Sequence, residues 1–199
     1  MFRFFETIKI VDGIPQNLGY HRERMANTLS HFYSRIFLPV IEDMIVVPPL
    51  FMSGVVKCRV DYSNTSFKAQ YDNYKPRNIQ TLKLVNSDTI DYCYKFSDRN
   101  LLNELLLHKG YCDEILIVKN KMITDTSFTN IAFSQHSKWY TPATPLLRGT
   151  ARSRLLETGK IFEKEISMDN FREFESFILI NSMLYIDFSK PLSIDSIVD

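Results

Sequence analysis

Tyr74-Lys75-Pro76-Arg77-Asn78 is polar, proline-broken and flanked by strand-like runs, so it reads as a linker dividing the chain into two α+β lobes, 1–77 and 78–199. Working back from it, residues 67–71 and 53–62 are strand-like. In the longer run Val56, Cys58 and Val60 alternate with Lys57, Arg59 and Asp61, the period of a half-buried strand. Upstream, Met25, Leu29, Phe32 and Ile36 recur at helical spacing, which predicts a helix over 20–37 stopped before Pro39. Residues 4–11 mix aromatic and β-branched side chains and run into Asp12-Gly13, a hairpin signal, with a short return strand at 14–18. Forward of the linker the pattern predicts strands at 80–85, 114–119, 131–134, 138–140, 162–166 and 177–181. It also predicts helices over 98–109, closed by Gly110, and over 150–158. The near-continuous apolar run at 177–181 predicts a strand buried on both faces.

At 199 residues the chain can bury a core without disulfides or metals. Its 24 basic and 23 acidic residues leave a net charge of +1, which gives no electrostatic basis for binding nucleic acid or an anionic membrane. Cys58, Cys93 and Cys112 are far apart and odd in number, and His21, His31, His108 and His136 stand singly. Neither a disulfide framework nor a metal site is expected; buried free thiols are. No apolar run approaches the roughly 20 residues of a membrane span, and Glu6 interrupts the N-terminus before a signal-peptide core can form. A cytoplasmic protein is the expectation.

Chemistry enters through segments in a fixed order: His21-Arg22-Glu23-Arg24-Met25, Tyr94-Lys95-Phe96-Ser97-Asp98-Arg99, Asp113-Glu114-Ile115-Leu116-Ile117, and Ile123-Thr124-Asp125-Thr126-Ser127-Phe128-Thr129-Asn130-Ile131. Trp139-Tyr140-Thr141-Pro142, Leu146-Leu147-Arg148-Gly149-Thr150-Ala151-Arg152 and Ile180-Asn181-Ser182 complete the series. Their succession resembles the class IV aminotransferases, the fold-type-IV pyridoxal phosphate enzymes, over about residues 4–188. Lys95-Phe96-Ser97-Asp98-Arg99, Asp113-Glu114 and Tyr140-Thr141-Pro142 are most similar to the 4-amino-4-deoxychorismate lyases of that family, with Asp98 in place of an asparagine.

The resemblance implies a two-lobed α+β fold of the D-amino-acid-aminotransferase type, a small α+β lobe plus an α/β barrel-like lobe carrying the Schiff-base lysine. It implies pyridoxal 5'-phosphate in the cleft between the lobes, a small-molecule amino substrate and a homodimer. Lyase-like elimination is the first expectation. An amino-acid aminotransferase of branched-chain or D-amino-acid type is the alternative, and a relative that binds cofactor without catalysis is the alternative of another class.

Residue by residue, Lys95 matches the Schiff-base lysine, although a lysine taken alone is ordinarily a surface residue. Arg24, three residues after His21 on one helix face, matches the arginine that grips the cofactor phosphate; its plain reading is a solvated helix face. Gly149, Thr150 and Ala151 open a helix whose N–H groups suit a phosphate, or form an ordinary turn before it. Leu147 matches the residue beneath the pyridine ring, and Asn181 and Ser182 match positions reaching the phosphate. Asp125 stands where the family places a glutamate against the ring nitrogen, one carbon–carbon bond shorter; alternatively it is a turn aspartate bonding local N–H groups. Thr129 and Asn130 follow as the small polar residue and the loop-organising asparagine. Three departures stand out. The strand and glycine loop that precede Phe4 in relatives are missing, Phe5 replaces a tyrosine, and residues 59–62 lack the Arg-Gly turn that seizes carboxylates in some relatives. Arg59 either substitutes for that turn or faces solvent.

Overall fold

Asp12 and Gly13, with φ of 47° and 78°, make the tight reversal between strand β1 (Phe4–Val11) and the two-residue strand β2 (Ile14–Pro15). Positive φ at both turn residues matches the twist of a two-residue hairpin. The turn is stitched to the start of strand β3 (Val55–Tyr62): Asp12 N–H donates to the Gly54 carbonyl at 3.0 Å, and Gly54 N–H donates to Asp12 Oδ1 at 2.8 Å. Between them lie helix α1 (Leu18–Phe32) and the one-turn helix α2 (Ile41–Met44), and β3 leads on to strand β4 (Phe67–Asn73). The computed structural model describes residues 2–199.

The first sheet runs β2-β1-β3-β4, antiparallel throughout. Period-two alternation sends Phe4, Ile8, Ile10, Val56, Cys58, Val60 and Tyr62 to one face, every one fully buried, where Met25 and Leu29 of α1 and Ile41 and Met44 of α2 cover them. The opposite face carries Phe5, Thr7, Arg59 and Asp61, in register across β1 and β3. Helix α1 stops at Phe32, short of the expected 37. Ile36 and Phe37 are exposed and have no core to enter, and Phe37 N–H donates instead to the Asn64 carbonyl at 2.8 Å. The return strand is likewise shorter than expected, ending at Pro15.

The chain divides into two compact units, one running to Pro76 and including Tyr94–Asp98, the other comprising Arg77–Cys93 and Arg99–Asp199. Sequence placed Lys95 in the C-terminal lobe; the structure assigns it to the first unit. The reason is backbone pairing: Phe5 N–H donates to the Lys95 carbonyl at 3.0 Å, Ser97 N–H donates to the Arg3 carbonyl at 2.9 Å, and Phe4 bridges Phe96. Phe96 and Tyr94 then pack with Phe32, and Phe96 also with Phe4.

The second unit contains strand β5 (Leu82–Asn86), helix α3 (Asn100–Leu106), strands β6 (Glu114–Lys119), β7 (Met122–Thr126), β8 (Asn130–Gln135) and β9 (Lys138–Pro142), helix α4 (Thr150–Glu157), and strands β10 (Phe162–Lys164), β11 (Ser176–Ile180), β12 (Leu192–Ser193) and β13 (Ile197–Val198). Two sheets form, β13-β5-β6-β7 and β10-β9-β8-β11-β12. They enclose one core, with Leu82, Leu116, Val118 and Ile123 from the first and Ile131, Phe133 and Phe177 from the second. Helix α4 covers the other side of the second sheet, where Ala151 and Leu155 meet Ala132, Ile178 and Ile180. Strand β11 is therefore covered on both faces, as its apolar run predicts. Strands β7, β12 and β13 were not anticipated; in β7 the buried residues Thr124, Asp125 and Thr126 break the apolar periodicity that marks a strand. Cys58 and Cys112 are buried free thiols, but Cys93 is exposed, contrary to expectation. Among the described residues no helix is long and apolar enough to cross a membrane.

Two glycines separate backbone strain from helix propensity. Gly13→Ala forces a side chain onto φ of 78° and should cost about 1–2 kcal/mol. Gly19→Ala in α1 meets nothing within 4 Å and should gain about 0.4–1 kcal/mol. Urea unfolding of the two variants, read by circular dichroism, checks the opposite signs.

Candidate functional site

The first unit carries a buried charge cluster. Glu6 lies on the covered face of β1 among Phe4, Ile8 and Ile10 and is fully buried. Helix α1 brings it two partners one turn apart: Arg24 Nε donates to Oε1 at 2.9 Å while Arg24 Nη2 donates to Oε2, and His21 Nδ1 meets Oε2 at 2.7 Å. Burial pushes the Glu6 carboxyl up, but the Arg24 and His21 charges and hydrogen bonds outweigh it and hold the pKa at about 2. Glu6 was missed in the sequence, although an acid at an inward position of an alternating strand was a usable signal. Arg22 points outward and pairs with Glu42 at 2.9 Å.

On the opposite face of the same sheet, Lys95 Nζ lies over the Phe5 ring, 4.6 Å from its centroid. The Arg59 guanidinium lies against the same ring at 3.8 Å. Arg59 does not simply face solvent: its Nε and Nη2 grip Asp61, at 2.6 Å for the shortest contact, and Ser97 Oγ lies 3.3 Å from the same carboxylate. The sequence reading expects Lys95 to be the reactive residue and leaves open what Arg59 does.

In the second unit Asp125, Asn130, Leu147 and Gly149 form one knot. Asp125 sits on β7, a strand rather than the loop expected there, and is 4% exposed. Asn130 Nδ2 donates to Asp125 Oδ1 and to the Leu147 carbonyl, each at 2.8 Å, and Leu147 N–H donates to Asp125 Oδ2 at 2.9 Å. A Cβ on Gly149 would lie 2.0 Å from Asn130 Oδ1, so the glycine is required by the asparagine's position. Burial raises Asp125 to about 6, partly opposed by the Leu147 and Asn130 bonds and the charge of Arg152. Thr129 closes the intervening turn, its Oγ1 2.8 Å from Thr126 Oγ1.

Gly149 is also the N-cap of α4, which no side chain caps and whose first turn holds no acid, so Thr150 and Ala151 stand at a helix start, where the first N–H groups have no intrahelical acceptor. Both are buried, at 6% exposure. Arg152 is a structural residue, 2% exposed, bonded to the Pro142 carbonyl at 2.9 Å and to Glu163 at 2.7 Å. Asn181 follows β11 and accepts from the backbone N–H groups of Met183 and Leu184 at 2.9 and 3.0 Å, shaping the turn that contains Ser182.

Comparison with known proteins gives these residues a context. The family model described as amino-transferase class IV matches residues 95–186. An uncharacterized protein of Haemophilus influenzae strain Rd is 38% identical over 92% of this chain and 98% of its own length. The crystal structure of a Haemophilus somnus 129PT protein named "putative 4-amino-4-deoxychorismate lyase" is 37% identical, covers 94% of this chain and 98% of its own, and superposes with a TM-score of 0.89. A Mesorhizobium loti "putative amino-acid aminotransferase" shares the fold at 19% identity, covering 97% of this chain and 98% of its own with a TM-score of 0.76.

The two buried acids should respond to pH with opposite signs. Glu6 lies below its ordinary 4.5, so its stabilisation is complete above that pH and is lost as pH falls toward 2. Asp125 lies above its ordinary 3.8, so its contribution is complete below that pH and declines as pH rises through 6. Each shift corresponds to on the order of 3 kcal/mol. Urea unfolding across pH 3–7.5 should show the wild type losing ground to Asp125→Asn as pH rises and losing ground to Glu6→Gln as pH falls. Parallel curves would contradict the assignment.

Proposed function

We propose that this chain, which belongs to the class IV aminotransferase family, is a pyridoxal phosphate-dependent enzyme catalysing elimination from an amino substrate, in the manner of a 4-amino-4-deoxychorismate lyase. Support for the lyase reading over transamination comes from the Haemophilus somnus relative, alike in sequence over nearly the whole chain, whereas the aminotransferase-named neighbour is alike in fold. A cytoplasmic homodimer completes the proposal.

The observation that carries the cofactor reading is the Asp125 carboxylate. It is buried, and its oxygens accept from Asn130 Nδ2 and Leu147 N–H, with the Leu146 N–H contributing as well. A carboxylate has about four lone-pair positions, so acceptor capacity remains for a protonated ring nitrogen. An acid raised to about 6 by burial also gains most from a cationic partner, which would hold it ionised. The residues present therefore fit the cofactor, although the aspartate is shorter than the family's glutamate.

When bound, pyridoxal phosphate supplies an electron-withdrawing ring that eases removal of a proton from the substrate carbon beside the amino nitrogen. Lys95 Nζ would hold the cofactor covalently and then carry that proton. Asp125 would keep the ring nitrogen protonated, and Leu147, whose backbone fixes Asp125, would pack beneath the ring. Thr150 and Ala151 N–H, with Asn181 and Ser182, would bind the phosphate. Arg24 would add its charge from a guanidinium already oriented by Glu6. Gly149 and Thr129 would act through the backbone they shape.

Borohydride reduction of protein incubated with pyridoxal phosphate should leave a pyridoxyl group on the Lys95 peptide and none in Lys95→Ala; labelling at Lys109 or Lys121 would reject the assignment. Asp125→Asn should keep cofactor binding while lowering turnover about 10²-fold or more, as loss of an electrostatic partner in the transition state does. Unchanged turnover on a confirmed substrate would remove Asp125 from the ring nitrogen.

A further inference from the structure

Strands β6 and β7 pair Val118 with Ile123 and Leu116 with Thr126, so Thr124 and Asp125 together face the single residue Ile117. A bulge of this kind interrupts the ladder and re-aims a side chain. Thr124 compensates by donating from Oγ1 to the Ile117 carbonyl at 2.7 Å. Asp125 is left to be placed by side chains and loops rather than by the ladder. Beyond it the chain reverses through Ser127 and Phe128. Thr126 ties the reversal together: its Oγ1 accepts from the Thr129 N–H at 2.9 Å and the Phe128 N–H at 3.3 Å, and its own N–H donates to the Thr129 carbonyl at 2.9 Å. These bonds set the shape of the turn and leave its position to other groups.

Arg99 reaches the turn from outside. Its Nη2 donates to the Ser127 carbonyl at 2.8 Å, and its guanidinium lies 5.9 Å from the centroid of the Tyr92 ring. Ser127 and Tyr92 are buried, and Arg99 is half-buried. A hydrogen bond from a charged donor to a buried carbonyl is among the stronger ones, and arginine stays charged throughout the working pH range. Arg99 is also the N-cap of α3, yet its side chain makes no capping bond, so the helix does not need the guanidinium. Arg77 stands over the Phe128 ring of the same turn at 4.8 Å, but its side chain is 63% exposed and that contact is correspondingly weak.

We infer that Arg99 is a positioning residue for Asp125: its bond to Ser127 holds the Thr126-to-Thr129 turn so that the Asp125 carboxylate stays directed at the ring nitrogen of the cofactor. The inference rests on the cofactor reading above and adds a residue to it. Asn130 and Leu147 fix the Asp125 carboxylate itself, and Arg99 fixes the segment that follows it. The sign of the effect separates positioning from simple electrostatics. Removing a nearby cation by itself favours protonation of the ring nitrogen. Releasing the turn instead withdraws the anion and favours loss of that proton.

Two measurements on the full-length protein test this. Without cofactor, the Phe128 and Thr129 amides should exchange hydrogen about 10- to 100-fold faster in Arg99→Met, the scale of a hydrogen bond from a charged donor, while the amides of β5 exchange as in the wild type. With pyridoxal phosphate labelled at its ring nitrogen, the NMR shift of that nitrogen followed against pH should show Arg99→Met losing the ring proton about one pH unit or more below the wild type. Asp125→Asn marks the far end of that scale. Arg99→Lys, which keeps a charged donor, should recover most of both properties. Arg22→Met, at an exposed arginine paired with Glu42, should alter neither. Should Arg99→Met fail to fold, Arg99→Gln carries the same two readouts with shifts of the same sign. If the turn amides keep their protection, or the ring proton is lost at the wild-type pH or above it, Arg99 does not position Asp125 and the cofactor reading stands. If the wild type binds no pyridoxal phosphate, the cofactor reading and the inference fall together.

Discussion

One asparagine amide organises the second unit's candidate site. Asn130 Nδ2 spans from the Asp125 carboxylate to the Leu147 carbonyl, and its Oδ1 fills the space that a side chain on residue 149 would need. Strand β7, the first residue of β8 and the segment entering α4 are thereby held by a single planar group. The arrangement is demanding because every member is buried or half-buried, where an unpaired polar atom costs about 1–3 kcal/mol. It also explains why Gly149 precedes the helix: the glycine is there less for backbone freedom, its φ being an ordinary −70°, than for the absence of a Cβ.

The first unit solves a related problem with charge instead of a neutral amide. Glu6 is as deeply buried as Asp125, yet Arg24 and His21 surround it with donors that carry or can carry positive charge. That difference in partners, rather than in burial, sends the two carboxyls in opposite directions from their ordinary values. Arg24 is consequently no free phosphate clamp on a helix face. Its Nε and Nη2 are already committed to Glu6.

Much of this was legible in the residues. The apolar alternation of β1 and β3, the Asp12-Gly13 turn and the Gly110 stop needed only local rules. Helix α1 was legible in its body and misread at its end, because the spacing of Ile36 extends the pattern while the core that would reward it ends at Phe32. Strand β7 was hidden for the converse reason, its buried residues being polar and satisfied by partners distant in sequence, such as Leu147 for Asp125. The candidate site residues could be named one by one, but their relations could not. Glu6 is 18 residues from Arg24, and Asp61 is 36 residues from Ser97. No periodicity encodes pairings of that span.

The short segment Tyr94–Asp98 has a consequence for how the molecule is made. Because it belongs with the first unit while the residues on either side of it belong to the second, the chain passes from one unit to the other three times, after Pro76, Cys93 and Asp98. Neither unit corresponds to an uninterrupted piece of polypeptide. During synthesis the Phe5 N–H therefore lacks the Lys95 carbonyl it will engage until the Tyr94–Asp98 segment has left the ribosome. A truncation at the linker would yield a sheet lacking both that edge contact and its lysine, so the two units are coupled in biogenesis by the topology of the chain itself.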